Sequence, residues 1–153
     1  MTGTKFNSEE ANRAAVARLY QECINQGRLE AVDQIISPEF VATGPSGGTG
    51  PEGYRATVKH LLAGFPDIQF TVHNLVAEND HVAVYWTWDG THRGPFAGVP
   101  PTGKRVHQEG MVLYRFESGK VAEAKVLFDR LGVFQQLSAF PESMMRQPAG
   151  TPK

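Results

Sequence analysis

Up to Phe65 the chain repeats its apolar residues at helical spacing. Ala11, Ala15, Leu19, Tyr20, Cys23 and Ile24 fall on one face of a helix. That helix is expected to start near Asn7 or Ser8, either of which can cap it, with Glu9 and Glu10 favouring the positive end of its dipole. Asn25-Gln26-Gly27 stops it, Gly27 being suited to the left-handed position beyond a helix end. Leu29, Val32, Ile35 and Ile36 predict a short second helix, ended by Ser37-Pro38. A glycine-rich loop, GPSGGTG, follows. Pro51 then sits where the first turn of a third helix begins, and Tyr54, Val58, Leu61, Leu62 and Phe65 form its stripe.

After Pro66-Asp67 the period changes from helical to alternating. Ile68, Phe70 and Val72 share one face of a strand, and Val82, Val84, Trp86 and Trp88 share one face of the next, with Glu78-Asn79-Asp80 as the turn. A Gly/Pro-rich segment, RGPFAGVPPTGKR, interrupts the strands. Two more, about Val106 to Phe116 and Val121 to Phe128, are joined at Ser118-Gly119, and Leu131 to Leu137 can form a closing helix. A two-residue turn at Ser118-Gly119 pairs Glu117 with Lys120 and, counting outward, Val112 with Lys125 and Gln108 with Asp129. One face then carries Gln108, Gly110, Val112, Tyr114, Glu123, Lys125, Leu127 and Asp129. The other carries Met111, Leu113, Ala122, Ala124, Val126 and Phe128, and a one-residue bulge exchanges the faces beyond it. Helices first and antiparallel strands afterwards indicate an α+β fold. The expected architecture is a curved antiparallel or mixed sheet with N-terminal helices forming a cone around a pocket.

Composition narrows the class. The 153 residues are 41% hydrophobic and 20% charged, as in one globular domain, expected at 1–140 with a mobile tail at 141–153. A net charge of -1 supplies no basic field for a phosphate backbone, so nucleic acid is not an expected partner. Apolar runs such as Val82 to Trp88 are too short to span a membrane, and MTGTKFNSEE has no apolar stretch of the signal-peptide kind. One cysteine, Cys23, excludes an internal disulfide. A cytoplasmic protein is expected.

Candidate chemistry centres on Asp129. A carboxylate at a strand end beside an apolar pocket can have its pKa raised by desolvation and act as a general acid or base. The same residue, immediately before Arg130-Leu131-Gly132-Val133, is also a good helix cap. Trp86 and Trp88 can wall a site for a flat polycyclic ligand, with indole N–H groups as donors, or can simply pack the core. Tyr20 has the same two readings, and Gln108 or a Trp N–H is a candidate donor to an enolate oxygen. Lys125 lies about 13 Å from Asp129 along an extended strand. The five histidines show no metal spacing; His81 and His92 are expected to be solvated, and His107 with Glu109 can form an acid/base pair or, as expected, a rim ion pair. Cys23 reads as an inert core thiol, and GPSGGTG lacks the Lys-Ser/Thr ending of a phosphate loop.

Several segments resemble the SnoaL-like polyketide cyclase, or ester cyclase, group of the nuclear transport factor 2-like superfamily. They are Leu19-Tyr20 with Asn25-Gln26-Gly27, Gly50-Pro51-Glu52-Gly53-Tyr54, Phe65-Pro66-Asp67, Gly90-Thr91-His92, and FAGVPPTGK from Phe96 to Lys104. Arg115-Phe116 with Gly119-Lys120-Val121, then Asp129 and Gln135-Gln136-Leu137, complete the series. The resemblance implies an α+β cone, commonly dimeric or tetrameric, that binds a hydrophobic small molecule without metal or organic cofactor. It also implies an Asp acting as acid/base in an intramolecular aldol closure, and Asp129 matches that position. Tyr20, Trp86 and Trp88 match pocket aromatics. Two positions depart from the family: Phe40-Val41-Ala42-Thr43 has no His, and Glu123-Ala124-Lys125 stands where Glu-His-Trp is typical. The expected function is a cofactor-independent acid/base enzyme on a hydrophobic carbonyl compound. The alternative is a non-catalytic binding or assembly domain of the same fold.

Overall fold

A computed structural model describes residues 3–44 and 48–140 of the chain; the expected tail from Pro141 lies outside the described residues. Helix α1 (Gly3–Arg18) runs into a π-helical turn (Leu19–Ile24). A 3-10 turn (Leu29–Ala31) leads into α2 (Val32–Ile35), β1 (Ile36–Thr43) and α3 (Gly50–Gly64). Four strands follow, β2 (Gln69–Glu78), β3 (His81–Thr91), β4 (Arg105–Glu117) and β5 (Lys120–Phe128), and α4 (Arg130–Leu137) closes the fold. Helix α1 begins upstream of the expected caps, since nothing between Gly3 and Asn7 breaks a helix. Gly27 takes the left-handed conformation foreseen for it, with φ +68°.

The sheet order is β1-β5-β4-β3-β2, with β1 parallel to β5 and every other pair antiparallel. This is the α+β fold with a mixed sheet. Ile36, expected in the second helix, instead opens β1, and the register shifts between Ile36 and Val41 around Pro38. An edge strand tolerates that proline because its N–H need not join a ladder. Ser118 and Gly119 both have positive φ, 52° and 80°, as a two-residue hairpin turn requires.

The β4–β5 register departs from simple counting after two pairs. Phe116 faces Val121, but Arg115 faces Glu123, so Ala122 is an inserted bulge residue. Tyr114 then faces Ala124, Val112 faces Val126 and Gly110 faces Phe128. The faces of β5 are therefore exchanged relative to expectation. Ala124, Val126 and Phe128 join Gln108, Gly110, Val112 and Tyr114 on the inner face, whereas Glu123, Lys125 and Leu127 share the outer face with Met111 and Leu113. The unbulged register would turn Glu123 and Lys125 under the helices, at several kcal/mol per buried ion. A second shift, at His73 in β2, keeps Leu75 and Ala77 facing Val84 and Val82 on the inner side.

Val16, Leu19, Val32, Ile35, Val58, Phe65, Val82, Val84, Val121, Phe134 and Leu137 are buried between the helices and the inner face. The outer face is bare: Val76 is 61% exposed, Met111 55% and Leu127 78%. Among the described residues no helix is long and apolar enough to cross a membrane.

Candidate functional site

A cavity of about 520 Å³ lies between the inner face and the helices. Its walls are aromatic because each neighbouring element contributes one or two rings. Strand β3 alternates Trp86 and Trp88 inward, β2 adds Phe70, β1 adds Phe40, α3 adds Tyr54, and the loop after β3 adds Phe96. Phe65 packs tilted at 4.8 Å from Trp88, and Phe70 meets Trp86 edge-on at 4.9 Å. Both tryptophans thus pack the core and line the cavity at once, so the two readings of these residues coexist.

Gln108 is fixed at both ends. The Trp88 indole N–H donates to its Oε1 at 2.8 Å, and its Nε2 donates to the Asp129 carbonyl at 3.0 Å. At the opposite end of the inner face the Tyr20 and Tyr114 hydroxyls meet at 2.6 Å. The π-helical turn puts Tyr20 there. Its wide winding, closed by the Asn25 N–H donating to the Tyr20 carbonyl at 2.9 Å, buries Leu19, Tyr20, Cys23 and Ile24 together. Burial pushes the Tyr20 hydroxyl well above the usual phenol range, and the nearby Tyr114 adds to the effect. Tyr54 and Tyr114 are raised by burial as well, so all three stay protonated at neutral pH. The Trp86 indole N–H lies beside the Tyr20 hydroxyl without hydrogen-bond geometry, and has no partner among the described residues. Burial also raises the Cys23 thiol to about 11, which leaves it inert.

Of the expected site residues, Tyr20, Trp86, Trp88 and Gln108 come together around the cavity. Lys125 does not. The bulge turns it to the outer face, where its side chain is 63% exposed and 3.7 Å from the Glu123 carboxylate. Asp129 sits on the rim, between Phe128 and Arg130, both of which line the cavity. Its own carboxylate is exposed and caps α4, Oδ1 accepting from the Gly132 N–H at 2.8 Å. Of the two roles open to Asp129, the structure holds it in the capping one. His107 and Glu109 point outward, His107 pairing with Asp89 at 3.0 Å and Glu109 accepting from the Tyr85 hydroxyl at 2.7 Å.

His92, expected in solvent, is fully buried. Its Nδ1 accepts from the Thr102 N–H at 3.1 Å and so ties together the loop that carries Phe96. Tyr114, Tyr54, Phe96 and Arg130 line the cavity without having been singled out. Tyr114 was detectable, because it alternates with Gln108 and Val112. Arg130, its guanidinium 5.7 Å over the Phe134 ring, gave no signal beyond adjacency to Asp129. Among the described residues no three His, Cys, Asp or Glu side chains are grouped to hold a metal ion.

Comparison with known proteins agrees with this fold. Residues 14–137 match the family model for SnoaL-like polyketide cyclases. The nogalonic acid methyl ester cyclase of Streptomyces nogalater is 30% identical over 117 residues, covering 74% of this chain and 87% of that one. The aklanonic acid methyl ester cyclase of Streptomyces peucetius is 28% identical over 131 residues, covering 80% and 88%. Among solved structures, a candidate SnoaL-like polyketide cyclase from Jannaschia superposes with a TM-score of 0.79 at 31% identity, covering 87% of this chain and 95% of that one. With most of its length matched by the family model and its cavity in the corresponding fold, the chain belongs to the SnoaL-like polyketide cyclase family.

Proposed function

We propose that this chain is a cyclase that closes a ring within a hydrophobic, polyketide-like carbonyl compound, with Asp129 as the proton carrier. The observation that carries the reading is the aromatic cavity of about 520 Å³ with Gln108 bridging Trp88 to the Asp129 backbone at its rim. A carboxylate there takes a proton from a carbon next to a carbonyl. That carbon then forms a C–C bond to a second carbonyl carbon of the same molecule, whose π pair moves to oxygen and recovers the proton from Asp129. Atoms balance without a metal or organic cofactor, and the product is an isomer of the substrate.

For this chemistry the Asp129 carboxylate leaves the Gly132 amide. An exposed cap of that kind is worth about 1 kcal/mol. A general base contributes about 10²- to 10⁴-fold in rate, or roughly 3 to 5 kcal/mol, so the cap is the smaller effect. Incubation with nogalonic and aklanonic acid methyl esters, followed by chromatography for a product of unchanged mass, tests the proposal. Asp129→Asn keeps a capping oxygen and removes the base, and turnover at the wild-type rate in that variant sinks the mechanism. The capped carboxylate favours a second reading, a binding domain without turnover, in which both esters bind and neither is converted.

A second copy of the chain fits the bare outer face, where Val76, Met111, Leu113 and Leu127 form an exposed apolar band. A homodimer or tetramer and a cytoplasmic location complete the proposal.

A further inference from the structure

The cavity wall holds three hydrogen-bond donors at one place, and only one hydrogen bond of normal geometry forms among them. The Tyr20 and Tyr114 hydroxyls share one bond at 2.6 Å, which uses one of their two hydrogens. The Trp86 indole can only donate, and its buried N–H, though beside the Tyr20 oxygen, makes no hydrogen bond of normal geometry among the described residues. Nor can the ring turn to find one. Its benzo edge lies so close to Gly110 that a Cβ there would meet Cη2 at 2.5 Å, and Phe70 packs on it at 4.9 Å. The N–H is thus held beside the Tyr20 oxygen, in a mostly apolar wall.

We propose that the Trp86 N–H and the remaining hydroxyl hydrogen of the Tyr20–Tyr114 pair bind one carbonyl oxygen of the substrate, the oxygen that becomes anionic when the neighbouring carbon is deprotonated. This rests on the cyclase reading for its chemistry. When the C–H bond breaks, its electron pair forms the C=C bond and the carbonyl π pair moves onto this oxygen. Two neutral, buried donors stabilise that charge without reorganising. Burial keeps both phenols protonated, so they donate and do not repel it. The Trp86–Gly110 pair stands one inner-face step, about 7 Å, from the Trp88–Gln108 pair that touches the Asp129 backbone. The substrate class follows: a flat ring system that enters with an unesterified ketone leading.

The test uses 9-fluorenone and its oxygen-free counterpart fluorene as probes. Calorimetry gives their affinities, and infrared difference spectra give the bound carbonyl stretch. Wild type is expected to bind fluorenone roughly tenfold tighter than fluorene, the size of one or two neutral hydrogen bonds. Its carbonyl band should fall to lower frequency than in an alkane. Trp86→Phe and the double variant Tyr20→Phe/Tyr114→Phe should each erase most of that preference and move the band back, with fluorene affinity, the control for folding, held within about twofold. Equal binding of the two probes by wild type overturns the proposal, as does an unmoved band in Trp86→Phe. Asp129→Asn separates this proposal from the cyclase reading, since it should leave the band in place. Conversion of the methyl esters with no band shift in Trp86→Phe refutes the oxygen site alone. A shifted band with no conversion supports the oxygen site and refutes ring closure.

Discussion

Replacing Gly110 by alanine places a methyl group against the ring that shapes the cavity. The added Cβ meets Trp86 Cη2 at 2.5 Å, Cζ2 at 2.6 Å and the Phe128 Cβ at 3.0 Å. Carbon atoms rest at about 3.5 to 4.0 Å, so the indole must retreat by about 1 Å. Phe70 blocks one path and the Tyr20–Tyr114 pair another, which leaves movement into the cavity. Overpacking of this kind costs about 1 to 3 kcal/mol, or roughly 2 to 12 °C in Tm for a chain of this length. Gly132→Ala is the control, because its nominal clash is worse, 2.2 Å from Asp129 Oδ2. There the obstacle is the tip of an exposed side chain that can rotate away. Loss of the cap, about 1 kcal/mol, is offset by about 1 kcal/mol from removing a glycine within a helix. Thermal melts followed by circular dichroism and tryptophan emission should show Gly110→Ala destabilised with altered emission and Gly132→Ala close to wild type. The reverse order, or a silent Gly110→Ala, would refute the packing described for Trp86.

Three further outcomes are expected. Lys125→Ala should leave ligand affinity unchanged and stability within about 0.5 kcal/mol, as for an exposed pair; a severalfold loss of affinity would return Lys125 to the site. Burial holds the His92 pKa below its unfolded value of about 6.5, so stability is complete above that pH and falls as pH drops toward the folded value. His92→Gln should flatten urea midpoints between about pH 7 and 5, each pKa unit of depression being worth about 1.4 kcal/mol, and an unchanged slope counts against the buried imidazole. Leu127→Glu together with Met111→Glu should lower the oligomer mass measured by light scattering while leaving the far-UV spectrum intact. Unchanged mass would show that the outer face is not where copies meet.

Much of the fold was legible because its signals are local. The change of period after Pro66, the Ser118-Gly119 turn and the alternating face of Trp86 and Trp88 all rest on neighbours in sequence. What escaped was set by tertiary competition. Nothing about Ala122 announces a bulge, yet its insertion decides whether Lys125 or Val126 faces the helices. Ile36 fits a helical stripe as well as a strand, and only β5 beside it settles the matter. Both roles of Asp129 were visible, but the choice between them depends on where the Gly132 amide lies. Tyr114 stood on the recognised face, whereas its meeting with Tyr20 joins residues 94 positions apart.

The wide winding at Leu19–Ile24 means that the first helix carries one residue more than its span needs. Deleting Gln21, which is exposed there, would let ordinary winding resume and give a more regular helix. Three ordinary steps of about 100° would then lead from Tyr20 to Ile24, close to the bearing that four smaller steps give now, so Tyr20 would stay on the side that faces Tyr114. Relatives one residue shorter at this point would thus keep the paired hydroxyls on a more regular helix.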